Sequence, residues 1–130
     1  MYLLDTNTLI YFFKGQGDVA VHLFAHTPKD IFIPTIVLFE LEVGIAKSND
    51  STKRREQLQK LLDAVQTLDF THKEAKESAL IRAELESKGV PIGPMDTLIA
   101  GCARVNGFTL VSRNLGEFTR VDGLKVQSWF

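Results

Sequence analysis

Three acidic side chains stand where hydrophobic patterning alone would place an aliphatic residue. Asp5 follows the apolar run YLL, Glu40 lies within the apolar helical pattern IVLFELEVG, and Asp96 shares the apolar face of the segment DTLIAGCA. An unpaired carboxylate on a buried face is unfavourable. Carboxylates that lie close together also repel one another unless a cation is bound between them. The sequence therefore predicts that these acids form a site.

Two of these positions have other interpretations. Asp96 could cap the N-terminus of a helix that begins there, because Asp is favoured at that position. In the segment FELEVG, spacing does not choose between Glu40 and Glu42, because both have apolar neighbours at helical spacing. Gly44 lies one turn after Glu40 and would leave room for a ligand beside it.

The chemistry that suits such a cluster is metal-assisted hydrolysis. Mg²⁺ prefers oxygen ligands and often uses only one or two carboxylates while it keeps several waters. A bound ion can activate water and stabilise charge on a phosphate, so the acids predict hydrolysis of a phosphodiester. Zinc is excluded by spacing, because His22, His26, His72 and Cys102 form no zinc-ligand pattern.

The elements that must position the acids follow from alternating hydrophobic periodicities. Strands are predicted over Tyr2 to Asp5, Ile31 to Ile33, Thr67 to Phe70, 108–112 and 124–129. Helices are predicted over Thr8 to Phe13, Val19 to His26, Pro34 to Ile45, Ser51 to Leu62, Thr71 to Lys88 and 96–106. This alternation predicts an α/β fold, a parallel-sheet α/β/α sandwich with helices on both faces. Ligands of such sheets bind outside the carboxyl ends of the strands, and Asp5 stands at one.

Length and composition set the remaining bounds. The 130 residues are expected to form a single domain, 1–130, and the net charge of −1 does not by itself indicate nucleic acid binding. No apolar run approaches the roughly 20 residues of a transmembrane helix, so no membrane association is expected. The single Cys102 cannot form a disulfide framework, and the first residues lack the basic region of an export signal. We therefore expect a cytoplasmic protein.

Four blocks of sequence resemble one known family. LLDTNTLI, FELEVG, GVPIGPMDTLIAGCA and LVSRNLGEFTRVDGL occur in the order and spacing of PIN-domain ribonucleases. The chain closely resembles the VapC toxins of bacterial toxin–antitoxin pairs, almost from end to end. This resemblance implies a PIN-like parallel α/β/α sandwich with an RNA-cleaving site that depends on Mg²⁺ or Mn²⁺.

The resemblance also assigns roles to residues around the first three blocks. It implies that Asp5, Glu40 and Asp96 are catalytic and bind the metal, with Glu40 rather than Glu42 on the family's ExxxG glutamate. Thr6 would add a hydroxyl to the site. Asn7 would orient the acidic cluster.

The fourth block departs from the broader family pattern. Many PIN domains carry a fourth acid shortly after the strand that here reads TLVS, and this chain has Asn114 there. Asn can bind a metal-bound water but adds no charge, so the number of metal ions stays open. Glu117 could take the fourth role beside Asn114, and Ser112 is expected to support the site. Arg113 and Arg120 are candidate RNA contacts, because loops after strands converge on the site.

Partners follow from the resemblance as well. It implies an RNA substrate, such as transfer RNA or another structured RNA, and a VapB-like antitoxin that places a basic residue near the acids. Homodimers of the chain would then assemble with paired antitoxins on operator DNA. No residue pattern chooses the RNA or its cleavage site.

Two other functions agree with parts of the sequence. LLDTNT also looks like the start of a haloacid-dehalogenase-like phosphatase, in which Asp5 would be the nucleophile and the residue two positions on an acid. That position is Asn7 here, and no downstream lysine has the expected setting. The second alternative is a non-catalytic binding module on a PIN fold, against which the three retained carboxylates argue.

Overall fold

Five short strands form one parallel sheet in the computed structural model, which describes residues 1–130. The strands are β1 (Tyr2–Leu4), β2 (Ile31–Pro34), β3 (Gln66–Leu68), β4 (Thr109–Val111) and β5 (Val126–Gln127). Their order in the sheet is β3-β2-β1-β4-β5, and every neighbouring pair is parallel. The predicted parallel α/β class is therefore confirmed. The last three strands are shorter than the sequence pattern predicted.

Seven helices and one 3₁₀ turn (Pro28–Asp30) connect the strands. The helices are α1 (Thr6–Lys14), α2 (Val19–Ala25), α3 (Thr35–Lys47), α4 (Ser51–Ala64), α5 (His72–Ser87), α6 (Pro94–Asn106) and α7 (Leu115–Phe118). Helices α1 to α4 connect strands that are added in one direction, whereas α5 and α6 lead back across β1 to β4. Right-handed crossovers then put the two groups on opposite faces, as predicted. No helix is long and apolar enough to cross a membrane.

The centre of the sheet is its most buried part. Leu3 and Leu4 of β1 and Leu110 and Val111 of β4 are all fully buried. Strands β1 and β4 are also where the direction of strand addition reverses. In a parallel sheet this reversal separates the loops that leave the two strands and opens a crevice at their carboxyl ends. The fold therefore has one preferred position for a site, after β1 and β4.

Two helix starts differ from the sequence prediction. Helix α6 begins at Pro94 after Gly93, and Asp96 is its third residue, so the interpretation of Asp96 as an N-cap was wrong. Pro suits the first helical position because its φ angle is already helical and it lacks the N–H that would be unpaired there. Pro34, predicted in the first turn of a helix, instead ends β2 immediately before α3. The earlier start of α6 shortens the loop before Asp96, whereas β2 and α3 adjoin as predicted.

Helices α5 and α6 pack closely against each other, away from the crevice. A Cβ atom on Gly101 of α6 would lie 2.0 Å from Ser78 Oγ and 2.9 Å from Ser78 Cα, both on α5. The fully buried Glu74 ties the same two helices, because the Asn106 amide donates to its Oε2 at 2.9 Å. Burial alone would raise the pKa of Glu74, but hydrogen bonds from Thr71 and Asn106 outweigh it and lower this pKa to about 2.

This close helix contact generates a stability prediction. Gly101→Ala should lower the free energy of unfolding by about 1–3 kcal/mol, because the added methyl group overlaps Ser78 and the helices must separate. Urea denaturation followed by circular dichroism measures the change. Gly44→Ala in α3 is the matched control, since a Cβ there meets nothing within 4 Å. The control should gain about 0.5–1 kcal/mol from the helix preference of Ala over Gly. Equal stability of both variants would show that α5 and α6 are not held this closely.

Candidate active site

The candidate site begins where β1 and β4 end side by side. The Asp5 backbone N–H donates to the carbonyl of Val111, the last residue of β4, at 3.1 Å. The Thr8 hydroxyl donates to the same carbonyl at 3.2 Å. Both contacts hold the start of α1 against the end of β4. The loops that leave the two strands therefore have a fixed relation to each other.

Asp5 is both a helix cap and a site residue. Its Oδ1 accepts the Thr8 backbone N–H at 2.9 Å, which makes Asp5 the N-cap of α1. The side chain is buried, at 4% exposure, and Oδ2 accepts no hydrogen bond from the protein. The carboxylate thus has one oxygen fixed by the helix and one available to a ligand.

Glu40 rather than Glu42 belongs to the site. Glu40 lies on α3, and its Oε1 accepts the Thr6 hydroxyl of α1 at 2.6 Å. Glu42 instead forms an exposed ion pair with Arg55, with Arg55 Nη1 3.0 Å from Glu42 Oε1. The geometry therefore separates the two glutamates that spacing alone could not separate. The Thr6 contact also gives the predicted extra hydroxyl a specific partner.

The ionisation of Asp96 depends on its acidic surroundings. Its carboxyl group is half-buried in the first turn of α6. Burial raises its pKa, and so do a hydrogen bond with Glu117 and the negative charges of Asp5, Glu117 and Glu40, which together bring the pKa to about 6. Four acids from four segments of the chain therefore lie close to one another at this site.

Asn114 and Glu117, the two candidates for the fourth position, both lie beside Asp96. The Asn114 amide donates to Glu117 Oε2 at 2.8 Å and to Asp96 Oδ2 at 3.4 Å. Ser112, which is fully buried, accepts the Asn114 backbone N–H on its hydroxyl at 3.0 Å. The Ser112 hydroxyl thereby supports the loop that carries Asn114. The structure places Asn114 as a bridge between two acids rather than as a substitute for one.

Three predicted residues make no contact with the acids. Asn7 is exposed on α1 and its side chain forms no hydrogen bond. Arg120 donates to the Pro91 carbonyl at 3.0 Å, in the loop before α6. Arg113 lies over the ring of Phe130, with 3.6 Å between the guanidinium carbon and the ring centroid. The orienting role expected of Asn7 has no contact to support it here.

The four acids carry charge that no side chain neutralises. Neither Asp5, Glu40, Asp96 nor Glu117 forms an ion pair with Lys, Arg or His. No three Asp, Glu, His or Cys side chains are grouped tightly enough to enclose a metal ion. An open set of carboxylate and amide oxygens fits Mg²⁺ or Mn²⁺, which need only one or two carboxylates and complete their shells with water. The donor set thus fits a hard divalent cation.

Two features of the site could not be found from the sequence. Thr8 joins α1 to β4, and its neighbours in the sequence give no sign of that contact. The rings of Tyr11 and Phe130 hold Arg113 although the three residues are far apart in sequence. The sequence placed Arg113 in a loop after a strand but gave no sign of the two rings.

Comparison with known proteins adds independent information. The PIN domain family matches residues 2–124. The chain is 34% identical to the tRNA(fMet)-specific endonuclease VapC of Salmonella typhimurium, covering 98% of this chain and 97% of that protein. It is also 34% identical to ribonuclease VapC2 of Rickettsia felis, covering 99% and 98% of the two chains.

Solved structures agree with the sequence matches. VapBC2 from Rickettsia felis, bound to a DNA fragment from its promoter, superposes with a TM-score of 0.92 at 34% identity, covering 99% of this chain and 98% of that chain. DNA-bound VapBC from Salmonella typhimurium superposes with a TM-score of 0.93 at 33% identity and the same coverage. With a family match over almost the whole chain and relatives above 30% identity, this protein belongs to the PIN-domain family and, within it, to the VapC ribonucleases.

Proposed function

We propose that this chain is an endoribonuclease toxin that hydrolyses phosphodiester bonds in RNA with the help of Mg²⁺ or Mn²⁺. The observation that carries the proposal is the group of four unneutralised carboxylates at the ends of β1 and β4. Family membership supports the reaction class, and the name of the Salmonella relative makes transfer RNA the first substrate to test. A structured RNA of another kind is the alternative substrate.

The metal would be held by oxygens of Asp5, Glu40 and Asp96, with Asn114 and Glu117 beside them. When bound, the ion would activate water and stabilise charge on the phosphate. The chain itself orients the ligands. The Thr6 hydroxyl fixes Glu40, and the α1 backbone fixes Asp5. Asp5 and Glu40 therefore keep one orientation before metal or substrate arrives, which favours catalysis.

Asp96 and Glu117 lie side by side at the site. Burial, the hydrogen bond with Glu117 and neighbouring negative charge raise the pKa of Asp96 to about 6 while no cation is bound, and a bound cation would favour the ionised carboxylate. Asn114 donates one amide to both acids and so keeps them adjacent. We assign Asn114 the role of keeping both carboxylates at the position of the metal.

The phosphatase alternative finds no support in this geometry. It needs a second acid two residues after Asp5, and that residue is the exposed Asn7, whose amide has no proton to give to a leaving group. Asp5 Oδ1 is also engaged in capping α1. The geometry therefore favours a ribonuclease over a phosphatase in which Asp5 is the nucleophile.

A groove and a cavity beside the site suit a protein inhibitor. A groove of about 500 Å³ lies between α1, α2 and α4, and its lining includes Phe12, Phe24 and Lys60. A second cavity of about 280 Å³ between α1, α3 and α4 is lined by Glu40 itself. The VapBC neighbours are complexes of a toxin with an antitoxin bound to DNA. We infer that a VapB-like antitoxin fills the groove, places a basic residue near Glu40, and tethers toxin homodimers to operator DNA in the cytoplasm.

The first functional prediction concerns the acids. Asp5→Asn, Glu40→Gln and Asp96→Asn should each lower the rate of transfer RNA cleavage at least about 100-fold, because each removes a charged oxygen ligand. Cleavage of bulk transfer RNA in Mg²⁺ or Mn²⁺ measures the rates, and removal of the metal with EDTA should abolish cleavage reversibly. Glu42→Gln is the matched control and should keep the wild-type rate, since Glu42 pairs with Arg55 outside the site. A Glu42→Gln variant as inactive as Glu40→Gln would refute the assignment.

A second prediction follows from the raised pKa of Asp96. The folded-state pKa of about 6 exceeds the ordinary 3.8, so folding disfavours the ionised carboxylate. The resulting loss of stability is absent below pH 4, grows as the pH rises through 6, and is complete above it. In EDTA, Asp96→Asn should therefore be more stable than the wild type by about 1–2 kcal/mol at pH 8 and equal to it at pH 4. Urea denaturation at both pH values gives the comparison. A constant difference across this range would show that Asp96 ionises as an ordinary carboxyl group.

The partner generates a third prediction. The chain should co-purify with the small protein encoded beside its gene, and the complex should cleave transfer RNA far more slowly than the free chain. Phe24→Asp should weaken this association, because Phe24 is 76% exposed and lines the groove. Val90→Asp, an exposed apolar position outside that groove, is the control and should bind normally. A neighbour that binds without slowing cleavage would contradict the antitoxin assignment.

A further inference from the structure

Arg113 is an arginine held in place without a hydrogen-bonding partner. Its guanidinium carbon lies 3.6 Å from the centroid of the Phe130 ring and 5.6 Å from that of Tyr11. Four of the other five arginines donate to a carboxylate or a carbonyl; these are Arg55, Arg82, Arg104 and Arg120. Arg113 forms neither a hydrogen bond nor an ion pair with the protein. Its five N–H donors therefore remain available to a ligand.

The rings under Arg113 are themselves fixed; we call Tyr11 and Phe130 the aromatic seat. Their centroids are 4.9 Å apart in an edge-to-face arrangement. The Phe130 carbonyl accepts the Asp18 N–H at 2.7 Å. The ring lies so close to Gly17 that a Cβ atom there would be 2.8 Å from it. A cation stacked on a fixed ring loses little further freedom when it binds a ligand.

The position of this cation relates it to the acidic site. Arg113 lies between Ser112 and Asn114, and the Asn114 amide contacts both Asp96 and Glu117. Tyr11 lies one helical turn after Asn7 on α1. Arg113 therefore directly precedes a residue that contacts two of the acids, and Tyr11 lies on the helix that Asp5 caps.

The charge balance indicates what this cation binds. An RNA strand must bring its phosphates beside four carboxylates that no basic side chain neutralises, and the two sets of charge repel each other. Stacking covers one face of the guanidinium but leaves its edges free, and the planar edge of Arg matches two phosphate oxygens. A fixed cation at the rim would thus offset the repulsion where the strand enters.

Building on the proposed ribonuclease function, we propose that Arg113, held on the aromatic seat of Tyr11 and Phe130, binds a backbone phosphate of the RNA next to the bond that is cleaved. Tyr11 and Phe130 are positioning residues in this arrangement, because they act through Arg113. The site would therefore select a polynucleotide rather than a single phosphate ester.

The test measures RNA affinity and its salt dependence. Bulk transfer RNA is bound to the full chain carrying Glu40→Gln, which prevents cleavage, with and without Arg113→Gln. We expect Arg113→Gln to weaken binding about tenfold and to lower the slope of log Kd against log salt by about 0.7–0.9, the value for one phosphate contact. Arg82→Gln is the matched control, because Arg82 is an exposed arginine paired with Glu86 on α5. It should change neither quantity.

The aromatic seat is tested separately in the chain without Glu40→Gln. Phe130→Leu should raise KM for transfer RNA several-fold with little change in kcat. Phe130→Tyr keeps the ring and should therefore show the wild-type KM.

The proposal is overturned if Arg113→Gln leaves the RNA affinity and the salt slope unchanged. An affinity loss without a change in slope also overturns it, since that result indicates base stacking rather than phosphate binding. If Arg113→Gln instead abolishes antitoxin binding and spares RNA, the residue serves the protein partner. A failure of the ribonuclease function itself is recognised independently, because then even the wild type would not cleave.

Discussion

Repulsion between carboxylates is the constraint around which this molecule is built. Asp5, Glu40, Asp96 and Glu117 come from four segments, and the pKa of Asp96 rises because burial and its acidic neighbours disfavour another negative charge. Such a group lowers stability unless the rest of the fold holds it together. The hydrogen bonds from Thr6, the α1 backbone and Asn114 do so without neutralising it. The charge thus stays available for a cation or for a cationic side chain of a partner.

The stability that balances this strain lies elsewhere in the chain. The central strands bury Leu3, Leu4, Leu110 and Val111 completely, and their packing fixes the two loops of the site. On the far side, α5 and α6 approach so closely at Gly101 that no larger residue fits. There the buried acid Glu74 stays ionised, because hydrogen bonds from Thr71 and Asn106 lower its pKa. The chain therefore holds two kinds of acid. The charge of Glu74 is stabilised by hydrogen bonds, whereas the charge of the site acids is not neutralised by any side chain.

The sequence was sufficient for the class of fold and the main acids, but not for the contacts between them. Alternating apolar strands and helices predicted the parallel sheet, and the helix predicted from Thr71 begins at His72 with Thr71 as its N-cap. Local patterns could not choose Glu40 over Glu42, because the choice depends on distant partners. Thr6 is 34 residues from Glu40, and Arg55 is 13 residues from Glu42. The N-cap interpretation of Asp96 was wrong because Pro94 competes for the start of the helix. The contacts of Arg113 depend on rings at both ends of the chain, and no short window contains them.

The order of the strands has a consequence for how this protein is made. Strand β1 pairs with β4, so the centre of the sheet can form only after residues 109–111 have been synthesised. Contacts this distant in sequence form late, after the entropy of closing a long loop has been overcome. A chain still emerging from the ribosome has Asp5 and Glu40 but neither Asn114 nor Glu117 beside them. The acidic cluster is therefore complete only once the last of its four segments has been synthesised and folded against the first.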